Sequence, residues 1–257
     1  MVHNITRSSI FAILFAGVVA SVVFFPLKAV YAHTFSGGES AAFLALVKIL
    51  QADLNLVQSN IASNATLSQA HASAVAEHLD ANTTKELAER NKLVTNDLTK
   101  AIADLNQTAV MKPTPTQEVI KGKVDRIDGL LQEAITVRVE KNQLSNSTVK
   151  GQAVSDIIDE ALERYREAYG IEEGKSTSGH TTIVNMAAYQ SAQAIAAKAQ
   201  EMFNEAKQIT STSAAITKAV NDLAQFKNDI DTKATYDKVN AYVENTLDPD
   251  IKAAFKL

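Results

Sequence analysis

The sequence predicts an all-α fold: antiparallel amphipathic helices forming one or two helical bundles after an N-terminal signal segment. Apolar residues recur at steps of three and four beyond residue 40, and no stretch alternates with period two over a useful length. Nine glycines and four prolines in 257 residues leave few chain breakers, while 46% hydrophobic residues supply a core. The breakers that exist fall between the periodic runs, where turns belong.

The first element is not part of that fold. Met1 to Arg7 is short and basic, Ile10 to Phe25 is apolar apart from one serine, and Val30 and Ala32 stand three and one places before a cut after Ala32. A positive start, an apolar middle and small residues at a cut are the order of a secretory signal. Residues 1–32 are therefore expected to be a signal peptide, with an uncleaved anchor as the alternative, since about 20 apolar residues cross a bilayer. In either case the rest of the chain is expected outside the cytoplasm, and no later segment is expected to span a membrane.

The helices then follow in order. Phe43, Val47, Leu50, Leu54, Val57 and Ile61 form one stripe, with Lys48, Gln51, Asp53 and Asn55 assigned to the other faces. A second helix, 67–80, carries Leu67, His71, Ala74, Val75, His78 and Leu79 on one side. Thr83 with Glu86 has the spacing of a capping box, opening a third whose stripe is Leu87, Val94, Leu98, Ala101 and Leu105. Pro113 and Pro115 then stop it, because proline removes a backbone donor and its ring clashes with the preceding turn. Beyond them come stripes at Ile120, Val124, Ile127, Leu131 and Ile135, and at Val154, Ile158, Leu162, Tyr165 and Tyr169, ended by Gly170. Ile195, Ala199, Met202, Ala206 and Ile209 mark the next helix, and Ser213 opens another with Ile216, Val220, Leu223, Phe226 and Ile230. A short helix with Tyr236, Val239, Tyr242 and Val243 is expected to end before Asp248-Pro249-Asp250. The expected organisation is an N-terminal helical hairpin or bundle over 33–110, a proline-containing linker over 111–117 and a C-terminal helical bundle over 118–257.

Composition narrows the function classes. With no cysteine, an exported chain has neither disulfides nor thiolate metal sites. A net charge of −4 with the two signs interspersed excludes the clustered cations that nucleic acid requires. The sequence has no H-E-x-x-H, no E-x-x-H pair, no glycine-rich phosphate loop and no G-x-S-x-G elbow, so no catalytic residue is assigned. Asp156, Asp159, Glu160, Glu163 and Glu167 are interleaved with Arg164 and Arg166 and read as a solvated face. Four N-x-[ST] sequons beyond the signal, at Asn64, Asn82, Asn106 and Asn146, are candidate glycosylation sites.

Histidine gives the one lead to a ligand. A cut after Ala32 leaves His33 first, where the free amine and the imidazole on one residue can chelate copper(II) through two nitrogens. His71 and His78 share a helix face about two turns, or roughly 10 Å, apart, so either one is a candidate third nitrogen. The competing reading is that both border a helix interface and His33 is solvated.

The blocks HTFSGGESAAFLALV, AVAEHLDANTTKELAERN and YQSAQAIAAKAQEMFNEA resemble exported all-helical proteins of ammonia-oxidising archaea. The resemblance implies a copper-dependent organism, a pseudo-periplasmic or cell-surface location and an accessory role beside a membrane-bound oxidase complex. It carries no catalytic residue. The expected function is that of a non-enzymatic structural or interaction module, with the alanine-rich stretch Ala192 to Ala206 as the face offered to a protein partner. An extracytoplasmic copper-binding protein is the alternative.

Overall fold

The computed structural model describes residues 38–79, 81–172, 174–175 and 180–257, apart from the side chain of Asn82, and among them the chain is helix, turn and loop with no strand. The expected signal segment and His33 lie outside the described residues. The helices are α1 (Glu39–Asn60), α2 (Ala65–His78), α3 (Ala81–Ala109), α4 (Gln117–Arg138), α5 (Lys141–Leu144), α6 (Ser147–Ala168), α7 (Met186–Gln208), α8 (Ala214–Asp231) and α9 (Tyr236–Tyr242). A π-helical turn (Val243–Leu247) then leads into α10 (Asp248–Phe255).

Side-chain caps set many of the starts. Asn64, Thr116, Asn146, Asn185 and Ser213 each accept a hydrogen bond from a backbone N–H of the first turn that follows. Each satisfies a donor that the helix itself leaves unpaired, a contribution of about 1 kcal/mol. Gly170 ends α6 at φ +67°, the left-handed cap its position predicts.

α1 is the hub. It packs against α2, α4, α6 and α7. Its predicted stripe is buried throughout, but so are Leu46, Ile49 and Ala52, because neighbours surround it on several sides. By length and composition α1 is apolar enough to cross a membrane, which corrects the expectation that no segment after the signal would be. In this fold most of that apolar span is buried in protein instead.

The shared hub also removes the expected division into 33–110 and 118–257. α1 belongs to the first stretch yet packs on three helices of the second, and the described residues form one compact unit. The proline segment 111–117 is a turn joining α3 to α4, which lie against each other.

Three elements depart from their predicted form. α3 begins at Ala81, ahead of the Thr83 box, and is broken at Asn91, whose backbone leaves the helical region (φ −153°, ψ 96°). The Asn91 side chain then caps the second segment by accepting from the backbone N–H groups of Leu93 and Val94. At the C-terminus the helix does not stop before Pro249. The proline stands in the first turn of α10, and the turn before it widens to π geometry, which relieves the ring's clash with the carbonyl four residues back. The alanine-rich stretch of α7, expected as a partner face, is turned largely inward. Ala192, Ala196, Ala199 and Ala206 are fully buried, and small side chains there let α6 approach closely.

Tyrosines close the far end. Tyr165, Tyr169 and Tyr189 donate to the carbonyls of Ile230, Asp231, Lys233 and Ala234 at the end of α8 and in the turn that follows it.

Candidate functional site

Where α2 crosses α1, the core turns polar. Ser68 of α2 donates its hydroxyl to the Val57 carbonyl of α1 at 2.8 Å, which fixes the crossing and brings His71, one turn on, over Asp53. Asp53 is 0% exposed and His71 1%. From α7, Ser191 donates to Asp53 Oδ1 at 2.6 Å, and His71 Nδ1 lies 3.1 Å from that oxygen. The other ring nitrogen, Nε2, lies 3.0 Å from Gln190 Oε1. Asn60 holds that amide in place, its Nδ2 donating both to the Leu56 carbonyl and to Gln190 Oε1 at 3.0 Å.

The second carboxylate oxygen faces a different set. Among the described residues Asp53 Oδ2 has no hydrogen-bond partner, and it stands 3.8 Å from His78 Nε2. That nitrogen lies 3.1 Å from Arg164 Nη2 of α6. Arg164 is itself pinned, donating from Nε to Glu160 at 2.8 Å and from Nη1 to Glu167 at 3.0 Å. Four helices thus contribute to one buried polar cluster.

Its electrostatics follow from these contacts. Burial alone would raise the Asp53 carboxyl, but hydrogen bonds from His71 and Ser191 and the charges nearby hold it below the usual carboxylate range. Burial lowers the His78 imidazole and the adjacent Arg164 charge lowers it further, against the opposing pull of Glu160, Asp53 and Glu77. Burial opposes the charge on Arg164, yet Glu160, Glu167 and Asp53 outweigh it and keep the guanidinium protonated. Glu160 and Arg164 are mostly buried, so the acidic set read as a solvated face is divided, with part of it turned inward to this cluster.

Ser191, His71 and Asp53 are the residue types of a hydrolytic triad, but their order is wrong. The serine hydroxyl goes to the carboxylate, and the far imidazole nitrogen that would serve as base faces an amide oxygen. Neither cavity described below is lined by any of the three.

The candidate copper ligands fare similarly. His71 and His78 converge on Asp53, and a cation at His78 Nε2 would meet the Arg164 guanidinium. Among the described residues no group of three or more His, Cys, Asp or Glu side chains is arranged to hold a metal ion. His71 and His78 lie buried where α2 packs on its neighbours, and His33 falls outside the described residues. His180 lies with Nδ1 3.0 Å from the Tyr169 carbonyl. Of the sequons, Asn64 and Asn146 are exposed and cap α2 and α6, whereas Asn106 lies within α3; the side chain of Asn82 is not described.

Sequence reading missed Asp53, although a signal was present. It stands four residues after Ile49 and four before Val57, on an apolar repeat beside the Phe43–Ile61 stripe, and a single-stripe reading leaves it on another face. Nothing local marks Ser191 as its partner, or Gln190 and Arg164 as those of His71 and His78, since all three arrive from distant helices.

Two cavities open elsewhere. A polar one of about 450 Å³ at the start of α1 is lined by Glu39, Ser40, Arg90, Arg138 and Lys141, with Arg138 paired to Glu39 at 3.4 Å. A second of about 450 Å³, mainly apolar, lies between the end of α2 and the second segment of α3, where Ala76, Leu79, Ile102, Ala103 and Val110 line it. Val110 and the adjoining Met111 are more than half exposed. Comparison with protein-family models, with curated proteins and with solved structures returns no match.

Proposed function

We propose that this protein is an exported, non-enzymatic interaction module that works as an accessory subunit of a membrane complex and receives an apolar helix of its protein partner in the α2–α3 groove. The supporting observation is the groove itself: an open channel between two helices, floored by Ala76, Leu79, Ile102 and Ala103, with polar Thr99 and Gln107 beside them. An amphipathic helix fits such a channel by laying its apolar face against the floor while its polar face stays in water. The buried polar cluster supports the same reading from the other side. Its carboxylate, imidazoles and hydroxyl are spent on one another between helices, in the manner of a network that fixes a unique core.

Ala103→Glu tests this reading. Ala103 is exposed within the groove, so a carboxylate there leaves the fold intact, with stability within about 0.5 kcal/mol. It also places an unpaired charge against an apolar partner face. The expected result is that a partner co-purifying with the native protein is lost from the variant while the thermal melt is unchanged. Retention of every co-purifying protein by the variant counts against the groove.

A further inference from the structure

We propose that His78 is a proton-gated latch: with a neutral ring it accepts a hydrogen bond from Arg164 and seats α2 on the bundle, and a proton on Nε2 unseats it. The proposal stands on the cluster's geometry and not on the partner reading. Arg164 cannot turn away, because Glu160 and Glu167 of its own helix hold two of its nitrogens and leave Nη2 aimed at His78 Nε2. A proton on that imidazole nitrogen sets two N–H donors and two positive charges face to face at 3.1 Å. Both side chains are about nine-tenths buried, so water screens the repulsion poorly.

The other groups around the ring do not restore the balance. Asp53 of α1 stands 3.8 Å away and Glu160 of α6 3.9 Å, both beyond hydrogen-bond reach. Asp53 is already committed through its other oxygen to Ser191 and His71, and Glu160 to Arg164. Glu77 of α2 is exposed, and α7 contributes only the uncharged Ser191 and Gln190 to this part of the cluster. The depressed His78 basicity agrees with this arrangement. α2 carries Ala76, and the residue that follows it Leu79, of the apolar groove, so unseating it reshapes that surface as well.

Hydrogen exchange of α2 amides at pH 7.5 and 5.0, corrected for intrinsic rates and referred to α8, measures the latch. An open state whose histidine titrates near 6.5 takes up a proton that the closed state resists, so α2 protection is expected to fall by roughly tenfold or more, to a ceiling of about 30-fold. In His78→Gln the side-chain oxygen can still accept from Arg164 but does not titrate, and the fall is expected to vanish. Equal α2 protection at the two pH values in the native protein, or an undiminished fall in the variant, overturns the proposal. Should the variant not fold, an NMR titration of the His78 ring in the native protein decides. A midpoint below the ordinary histidine range, with α2 protection lost between about pH 6.5 and that midpoint, supports the latch, and a midpoint at or above that range overturns it.

Discussion

Asp53 shows what one buried charge does in a helical core. It is sealed from water and held ionised by donors from two other helices, so removing it strands His71 and Ser191 without their acceptor. Breaking a buried charged cluster from one side costs about 3–5 kcal/mol. Asp53→Ala is accordingly expected to lower the urea midpoint by that equivalent with an unchanged slope, and a loss under 1 kcal/mol would show that the cluster contributes little. The pH dependence follows from the directions of the two shifts. The depressed His78 gives stability that is complete above its unfolded value of about 6.5 and declines as pH falls below it. The depressed Asp53 gives stability that is complete above about 3.8 and is lost as pH falls through its lower folded value. These two groups are therefore expected to draw urea midpoints down in two stages on acidification, the first below pH 6.5, opposed near pH 6 by Asp159, whose carboxyl burial pushes up to about 6 and which stabilises the fold as it takes its proton. At this scale the sequence was partly legible. The seven-residue spacing put His71 and His78 on one face, but spacing cannot reveal an arginine and a serine delivered by distant helices.

At the scale of elements, periodicity located most of the helices, because one stripe of apolar residues must face the core in each. It failed where a helix is covered on several sides, as with α1, and where a break leaves no proline or glycine, as at Asn91. A capping asparagine within a periodic run is a weak mark, since the stripe resumes on the next segment. Close approach between helices is equally hidden. Gly151 of α6 lies under Phe255 of α10, and a methyl group built there would fall inside contact distance of Phe255 Cβ and Cγ. Gly151→Ala is thus expected to displace α10, reducing stability by about 1–3 kcal/mol as overpacking does, despite alanine's better helix propensity. Faster proteolysis at the C-terminus would register the displacement. An unchanged or raised melting temperature would contradict this packing.

For the whole molecule, the fold class was legible and the division into parts was not. Pro113 and Pro115 signal a helix end, but whether a stop separates domains depends on what packs across it, and α1 does so from the N-terminal side. The described unit is therefore expected to unfold in one transition, with circular dichroism and tyrosine fluorescence coincident. Two transitions, one for α1–α3 and one for the helices after the prolines, would restore the two-bundle organisation. The function proposed here rests at this scale on a surface, the apolar channel that α2 and α3 leave open in front of the buried polar cluster. Site-specific photo-crosslinking in the source cells tests that claim most directly. A photoreactive side chain in place of Ala103 is expected to capture one dominant protein partner, whereas the same group in place of Lys218 on α8 captures none reproducibly. Capture at Lys218 equal to that at Ala103, or at neither position, would contradict it.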